Sequence, residues 1–259
     1  MEQIHLRKGN ILQNTGTMAY RNLLKTIHNP ERLMDVVVIP IVFMLMFSQL
    51  FGGAISGNVK SYLAIIVPGI LMQGILSSAA GSGSQIREDL DTGVFDRFKS
   101  LPMANIAPLA GQLFADILRL IICTICSLGT GFLIGYRPEG GVGAVFLAAF
   151  LAIVSGWAIS WIFALLGLVL TSTTLLQSFS MIVSMVMAFL SSAFVPINTL
   201  PKWLQTVANI NPVTHMIAAI RSLLDKGIWG KEDWFCLIVC VGIVLIFAPL
   251  TVIAYNKKN

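Results

Sequence analysis

The chain has 259 residues, 56% of them apolar and only 11% charged, with a formal net charge of +5 at pH 7. Soluble domains carry about 25% charged residues, and a chain of this length cannot wrap helices that lack polar faces, so a soluble fold is excluded. The lysines and arginines form no basic stripe with interleaved aromatics, which excludes nucleic acid as a partner and leaves a polytopic membrane protein.

Residues 1–33 read as a cytoplasmic segment ahead of a transmembrane domain over 34–259. Tyr20, Leu23, Leu24 and Ile27 recur at i, i+3, i+4 and i+7, with Arg21, Lys25 and His28 opposite and Asn29-Pro30 as a stop. The pattern predicts an interfacial amphipathic helix, apolar face in lipid and basic face towards water or anionic lipid. A topogenic anchor and a partner contact fit it equally. The first apolar run starts near Val36, too late and too long for a cleavable signal peptide.

Six runs are long enough to cross a hydrocarbon core as helices of about 20 residues. They are Val36–Gly53, Tyr62–Gly83, Ile106–Gly135, Val142–Leu170, Leu175–Pro196 and Trp234–Tyr255. The fourth and fifth come from one stretch, 140–201, without any Asp, Glu, Lys or Arg, and Thr171-Ser172-Thr173-Thr174 marks its reversal. Lipid tolerates no unsatisfied backbone, so helices are the expected element throughout.

Orientation follows from the basic residues. With the N-terminus in the cytoplasm, that side holds Arg7, Lys8, Arg21, Lys25, Arg32, Arg87, Arg97, Lys99, Lys257 and Lys258. The two short outer loops hold only Lys60 and Arg137. Lys202, Arg221, Lys226 and Lys231 in the longer outer segment dilute this bias without reversing it, so both termini are expected in the cytoplasm.

Between spans two and three lies a charged island, residues 85–104, QIREDLDTGVFDRFKSLPMA. Arg87-Glu88-Asp89 and Asp96-Arg97 alternate in sign, Gly93 offers a turn, and Leu101-Pro102 ends the run. Val94, Phe95, Phe98 and Leu101 give it an apolar side. A short amphipathic helix of this kind fills a groove on a soluble partner, with its charges fixing the register. A solvated loop has no use for two phenylalanines.

Asp116 and Arg119 are the charges inside a span, about 10 residues or ~15 Å into the third helix. At i, i+3 they can pair with each other and face protein or water rather than lipid, as a structural ion pair or a gating or pathway element. Gly81-Ser82-Gly83-Ser84, and Gly131 with Gly135, suit close helix packing. Cys123 with Cys126, and Cys236 with Cys240, share helix faces but lack the four ligands zinc requires, and read as buried thiols. His5, His28 and His215 all lie outside the spans, which removes the buried Ser–His pair of an intramembrane protease. No GxxxxGK[ST] phosphate loop occurs, so the chain has no nucleotide site of that kind and is not itself expected to be an enzyme.

Residues 199–227 between spans five and six predict two short helices. Leu200, Trp203, Leu204 and Val207 form the first stripe, with Thr199 as cap and Pro201 in the first turn. Asn211-Pro212 breaks it. Met216, Ile217, Ile220, Leu223 and Leu224 form the second, with Gly227 past its end and Arg221 and Asp225 paired on its polar side. A re-entrant pair and surface helices both fit.

Three segments in this order carry a family resemblance: YLAIIVPGILMQ in span two, TGVFDRFKSLPMA in the island, and FVPINTLPKWLQTVANINPVTHMIAAIRSLL before span six. In them the chain resembles the permease subunits of ABC type-2 exporters, in the daunorubicin-resistance-like branch. The resemblance implies an all-α polytopic membrane protein: six transmembrane helices, an N-terminal amphipathic helix, a cytoplasmic coupling helix and an outer re-entrant helix pair. It implies a homodimer of permeases served by two copies of a separately encoded ATPase that holds ATP and Mg, with no cofactor in this chain. The island then becomes the coupling helix. Asp91, Gly93, Asp96, Arg97 and Pro102 match its motif, and Arg87, Glu88, Phe95 and Phe98 flank them as ATPase contacts. Pro212, Thr214 and Arg221 match the outer NPxT…R pattern. A substrate path at the dimer interface would be lined by Met72, Gln73 and Leu76 of span two and Phe179, Val183 and Met187 of span five, residues that ordinary helix packing explains equally well.

The same architecture serves exporters of lipid-linked glycans or glycolipids. An ion-coupled carrier would place several ionisable groups at mid-membrane, where only Asp116 and Arg119 stand here. An immunity membrane protein would need no ATPase partner.

Overall fold

The computed structural model describes residues 11–27, 30–57, 59–93, 107–194 and 197–258, and every regular element among them is helical. α1 spans Ile11–Ile27, α2 Pro30–Ser56, α3 Val59–Asp91, α4 Ala107–Ile134 and α5 Gly141–Val169. α6 spans Thr173–Phe189, a 3₁₀ turn covers Ile197–Thr199, and α7 (Lys202–Ile210), α8 (Pro212–Lys226) and α9 (Lys231–Lys258) follow. Among the described residues, α2, α3, α4, α5 and α9 are long and apolar enough to cross a membrane. The first expected span falls inside α2, which continues through the expected domain boundary after residue 33.

α3 is the centre of the bundle. Leu63, Ile66, Ile70, Leu71 and Ile75 are all fully buried, and α2, α4, α5, α6 and α8 pack around it. A helix apolar on every side is stable only when surrounded in this way. α9 has the opposite character: it packs on α5 and α8 and leaves Trp234, Ile238, Val241 and Leu245 exposed, a face suited to lipid.

α3 approaches α5 to backbone contact at two glycines. A Cβ on Gly83 would lie 2.3 Å from the Phe163 carbonyl oxygen, and one on Gly167 would lie 2.4 Å from that of Gly83. Gly83 of the expected packing run is therefore a packing position, and Gly131 likewise faces Val67 of α3. Gly135 belongs instead to the turn after α4, at φ +110°, so the GxxxG spacing there is not one motif.

The ends of α3 and α6 differ from expectation in ways that bear on the site. The second span, expected to end at Gly83, continues as helix to Asp91, 33 residues in all or about 50 Å. The cause is local: Arg87 and Asp91 form an i, i+4 ion pair, and α1 supplies cations to Glu88 and Asp89. The first third of the island is thus helix, and only at Thr92 and Gly93 (φ +66°) does the chain turn.

The fifth span, expected over Leu175–Pro196, is a helix of 17 residues, about 25 Å, that gives way to turns at Leu190. Ser191 explains the stop. Its hydroxyl donates to the Ala188 carbonyl at 2.5 Å and accepts from the Ala193 N–H at 3.2 Å, replacing helical hydrogen bonds with side-chain ones. The reversal expected at Thr171–Thr174 is where α5 ends and α6 begins.

In the outer pair, α7 starts at Lys202 with Pro201 at the cap position, and Thr199, the expected cap, belongs to the 3₁₀ turn. α8 is bounded as expected. The Asn211 side chain caps the Val213 N–H, Pro212 opens the first turn, and Gly227 closes the helix at φ +72°.

Candidate functional site

Past its apolar part, α3 presents Gln85, Arg87, Glu88, Asp89 and Asp91 over two turns. Asp89 is buried, and a buried carboxylate needs cations. Lys25 of α1 supplies one at 2.9 Å and Arg21 another at 3.6 Å, while Lys25 also lies 3.5 Å from Glu88. The basic side of α1, expected to face water or anionic lipid, is turned onto α3. Tyr20 and Leu24 are exposed, as expected of the apolar face; the side chains of Leu23 and Ile27 lie outside the described residues, as do His28 and Asn29. Gly111 of α4 lets α1 settle there, since a Cβ would come within 2.4 Å of the Met18 Cβ.

One turn away, Arg87 and Asp91 reach the junction of α5 and α6. Arg87 Nη1 donates to the Leu170 carbonyl at 3.0 Å and Nη2 pairs with Asp91. Asp91 Oδ2 accepts from the Thr173 hydroxyl at 2.7 Å. The cation thus meets the C-terminal end of α5 and the anion the N-terminal end of α6, the signs that the two helix dipoles favour.

Towards the middle of α3 lies a buried polar cluster shared with α4. Ser82 donates to Asp116 at 2.5 Å, and Gln112 donates to Asp116 at 3.2 Å and to Gln85. Arg119 pairs with Asp116 at 3.5 Å and donates to the Ser78 carbonyl. The expected ion pair forms, but inside a network that also engages α3. Gly81 makes room for it, because a Cβ there would lie 2.7 Å from the Arg119 guanidinium.

At the opposite end of α3, side chains capture the carbonyls freed where α6 unwinds. Asn211 Nδ2 donates to Met187 at 2.7 Å and Leu190 at 2.9 Å. Arg221 Nη2 donates to Ser192 at 2.9 Å and Ile65 at 3.1 Å, and the Tyr62 hydroxyl to Phe194 at 3.1 Å. Arg221, expected to pair with Asp225 on the polar side, also points inward, to a carbonyl of α3 and one of the turns after α6. Helix-end carbonyls that water cannot reach must be met by donors, and these residues provide them.

Asn211→Asp discriminates the two tasks of Asn211. Aspartate is as good an N-cap as asparagine but sets a carboxylate against two carbonyls where an amide donated. We expect a loss of about 1–3 kcal/mol, against a near-neutral exchange at an ordinary cap, read as a fall in the thermal unfolding midpoint of the purified protein.

The ABC-2 type transporter family matches residues 13–224. A daunorubicin resistance ABC transporter permease protein of Streptomyces coeruleorubidus is 37% identical over 247 residues, 95% of this chain and 87% of that protein. A doxorubicin resistance ABC transporter permease protein of Mycobacterium tuberculosis is 28% identical over 201 residues, 74% of this chain and 69% of that one. This chain belongs to the ABC-2 type transporter family.

Within this ABC-2 transporter chain the remaining candidate residues divide. Pro212 opens α8 and Thr214 is buried in its first turn. Met72 and Leu76 are fully buried in the bundle core, and Val183 and Met187 pack partly buried against it. Gln73 is half-buried with its Oε1 lacking a hydrogen-bond partner, and Phe179 is 48% exposed. A pocket of about 210 Å³ lies near the Tyr62 end of α3, walled by Phe47, Phe51, Phe189 and Phe194. Gly93 is the turn after α3; Phe95, Asp96, Arg97, Phe98 and Pro102 lie outside the described residues.

Cys236 and Cys240 are both buried and share Ser155, at 3.5 and 3.6 Å. Sequence reasoning missed Tyr62, Ser82, Gln85, Gln112, Thr173 and the second role of Asn211. For Ser82 and Gln112 a signal was present, since a polar residue in a membrane helix needs a partner inside the protein.

Proposed function

We propose that this chain is the permease subunit of an ATP-driven exporter that moves hydrophobic or amphipathic compounds out of the cytoplasm or the inner leaflet. The observation that carries the reading is the charged end of α3, held at Asp89 by α1 and at Asp91 by Thr173, so that the turn at Gly93 starts from a rigid base. A partner pushing there moves helix rather than loop. The names of the two relatives support a drug-like substrate class.

In this reading α6 is a sixth crossing, both termini lie in the cytoplasm, and two copies of the chain form the pathway. Two ATPase subunits, which hold ATP and Mg, dock on the segment following Gly93, through Phe95, Asp96, Arg97, Phe98 and Pro102. Their closure on ATP favours one access state because docking binds that state more tightly. Met72, Gln73 and Leu76 of α3 and Phe179, Val183 and Met187 of α6 flank the route, and the outer pair α7–α8 is re-entrant. Methionine and phenylalanine suit a site that adapts to varied apolar ligands.

ATP hydrolysis in proteoliposomes tests this, using the chain copurified with its candidate ATPase, wild type against Arg97→Ala and Phe98→Ala. A stable complex is expected, with hydrolysis falling about tenfold or more in both variants, the loss of an interface anchor. A chain that purifies alone, or variants that hydrolyse at the wild-type rate, would overturn the proposal.

A further inference from the structure

Arg87 and Asp91 stand in the segment that the resemblance assigns to ATPase docking, yet both make polar bonds to other helices of this chain. Arg87 reaches the last carbonyl of the α5 end at Leu170, and Asp91 holds the hydroxyl of Thr173, the first residue of α6. α3 and α5 are already fixed to each other one turn earlier by the Gly83–Gly167 backbone contact. α6 follows α5 after three residues, 170–172. Its first turn lacks a side-chain cap, because Ser172 makes no capping hydrogen bond. The Asp91 carboxylate therefore holds the start of α6 through a side-chain hydroxyl, and brings from another helix a negative charge to that helix N-terminus.

We propose that Arg87 and Asp91 are positioning residues that carry movement of the segment after Gly93 to the start of α6, rather than contacts to the ATPase. A displacement of the α3 end draws Asp91, and through Thr173 the first turn of α6. Because α6 carries Phe179, Val183 and Met187 and packs along α3, the hydroxyl-to-carboxylate bond adds a directed link from the docking end of α3 to the first turn of the helix proposed to flank the route. Thr173 is the distinguishing residue, since it lies outside the docking segment. The ion pair alone is not the device: an i, i+4 pair on one helix transmits nothing to its neighbour.

The inference rests on the ATP-driven reading above, and hydrogen exchange separates the two. The permease–ATPase complex in nanodiscs is measured with and without ATP and vanadate, as wild type, Thr173→Val and Thr173→Ser. In the wild type, trapping is expected to change exchange about tenfold at 85–93 and again at 171–177, where the Leu176 amide bonds to the Ser172 carbonyl and reports how firmly the first turn is held. Thr173→Val should keep the first response and lose the second, and Thr173→Ser, which retains the hydroxyl, should keep both. A Thr173→Val complex that still responds at 171–177 overturns the linkage. So does a wild type that responds at 85–93 alone, which leaves ATP-driven transport standing. A wild type that responds at neither segment removes the ATP-driven reading and the linkage with it.

Discussion

Arg119→Ala is expected to cost about 3–5 kcal/mol, the usual effect of leaving one member of a buried ion pair uncompensated. Asp116 would keep Ser82 and Gln112 as donors but lose its countercharge, and the space lined by Gly81 would be vacated. Asp116→Ala should do similar harm, since Arg119 would retain a neutral carbonyl at Ser78. The paired replacement Asp116→Leu with Arg119→Met removes both charges and should recover most of the loss. Thermal unfolding of the purified protein reads the stabilities, and transport assays on the paired variant separate scaffold from gate. Full transport by a stable paired variant identifies a strut between α3 and α4. Stability without transport identifies an element that favours one access state. Wild-type stability and transport in Arg119→Ala would count against both roles.

Gly83→Ala and Gly167→Ala are expected to be as damaging for a different reason. Each new methyl would meet backbone, Phe163 O at 2.3 Å in one case and Gly83 O at 2.4 Å in the other. A flexible side chain can move aside; a helix backbone moves only if α3 and α5 separate, which disturbs the buried Phe163 and the Arg87 bond to Leu170. Overpacking usually costs about 1–3 kcal/mol, and a backbone clash belongs at or above the top of that range. Gly129→Ala is the control: nothing lies within 4 Å of its Cβ, so the better helix former should be neutral or stabilising by up to about 1 kcal/mol. Size-exclusion profiles and unfolding midpoints of the three variants check this, and equal behaviour would contradict the close approach.

The helices and their order were legible because apolar run length, caps and breakers act locally. Asn211, Pro212 and Gly227 bounded α8 from the sequence alone, and the reversal at Thr171–Thr174 fell where the chain turns. Long-range polar partners were not. Ser82 and Asp116 lie 34 positions apart, and Arg221 reaches a carbonyl 156 positions away, whereas sequence spacing offered only the neighbouring Asp225. Hydropathy also misplaced the end of α3, because it registers where apolar residues stop and not where helix stops. The charges of residues 87–91 mark the membrane boundary, but their pairing keeps the helix going.

The shortness of α6 has a bearing on the surrounding bilayer. At about 25 Å it falls short of the ~30 Å hydrocarbon core, while α3 beside it exceeds that thickness by about 20 Å. Phe179, Met181, Ile182 and Met185 line an outward face of α6 that ends early, with Asn211 and Arg221 just beyond it. With α6 crossing as proposed, lipid that meets the part of this face outside the contact between copies must thin, or lower its headgroups and water towards those polar side chains. The protein thus presents lipid with a hydrophobic belt of uneven height, lowest along the helix proposed to flank the route.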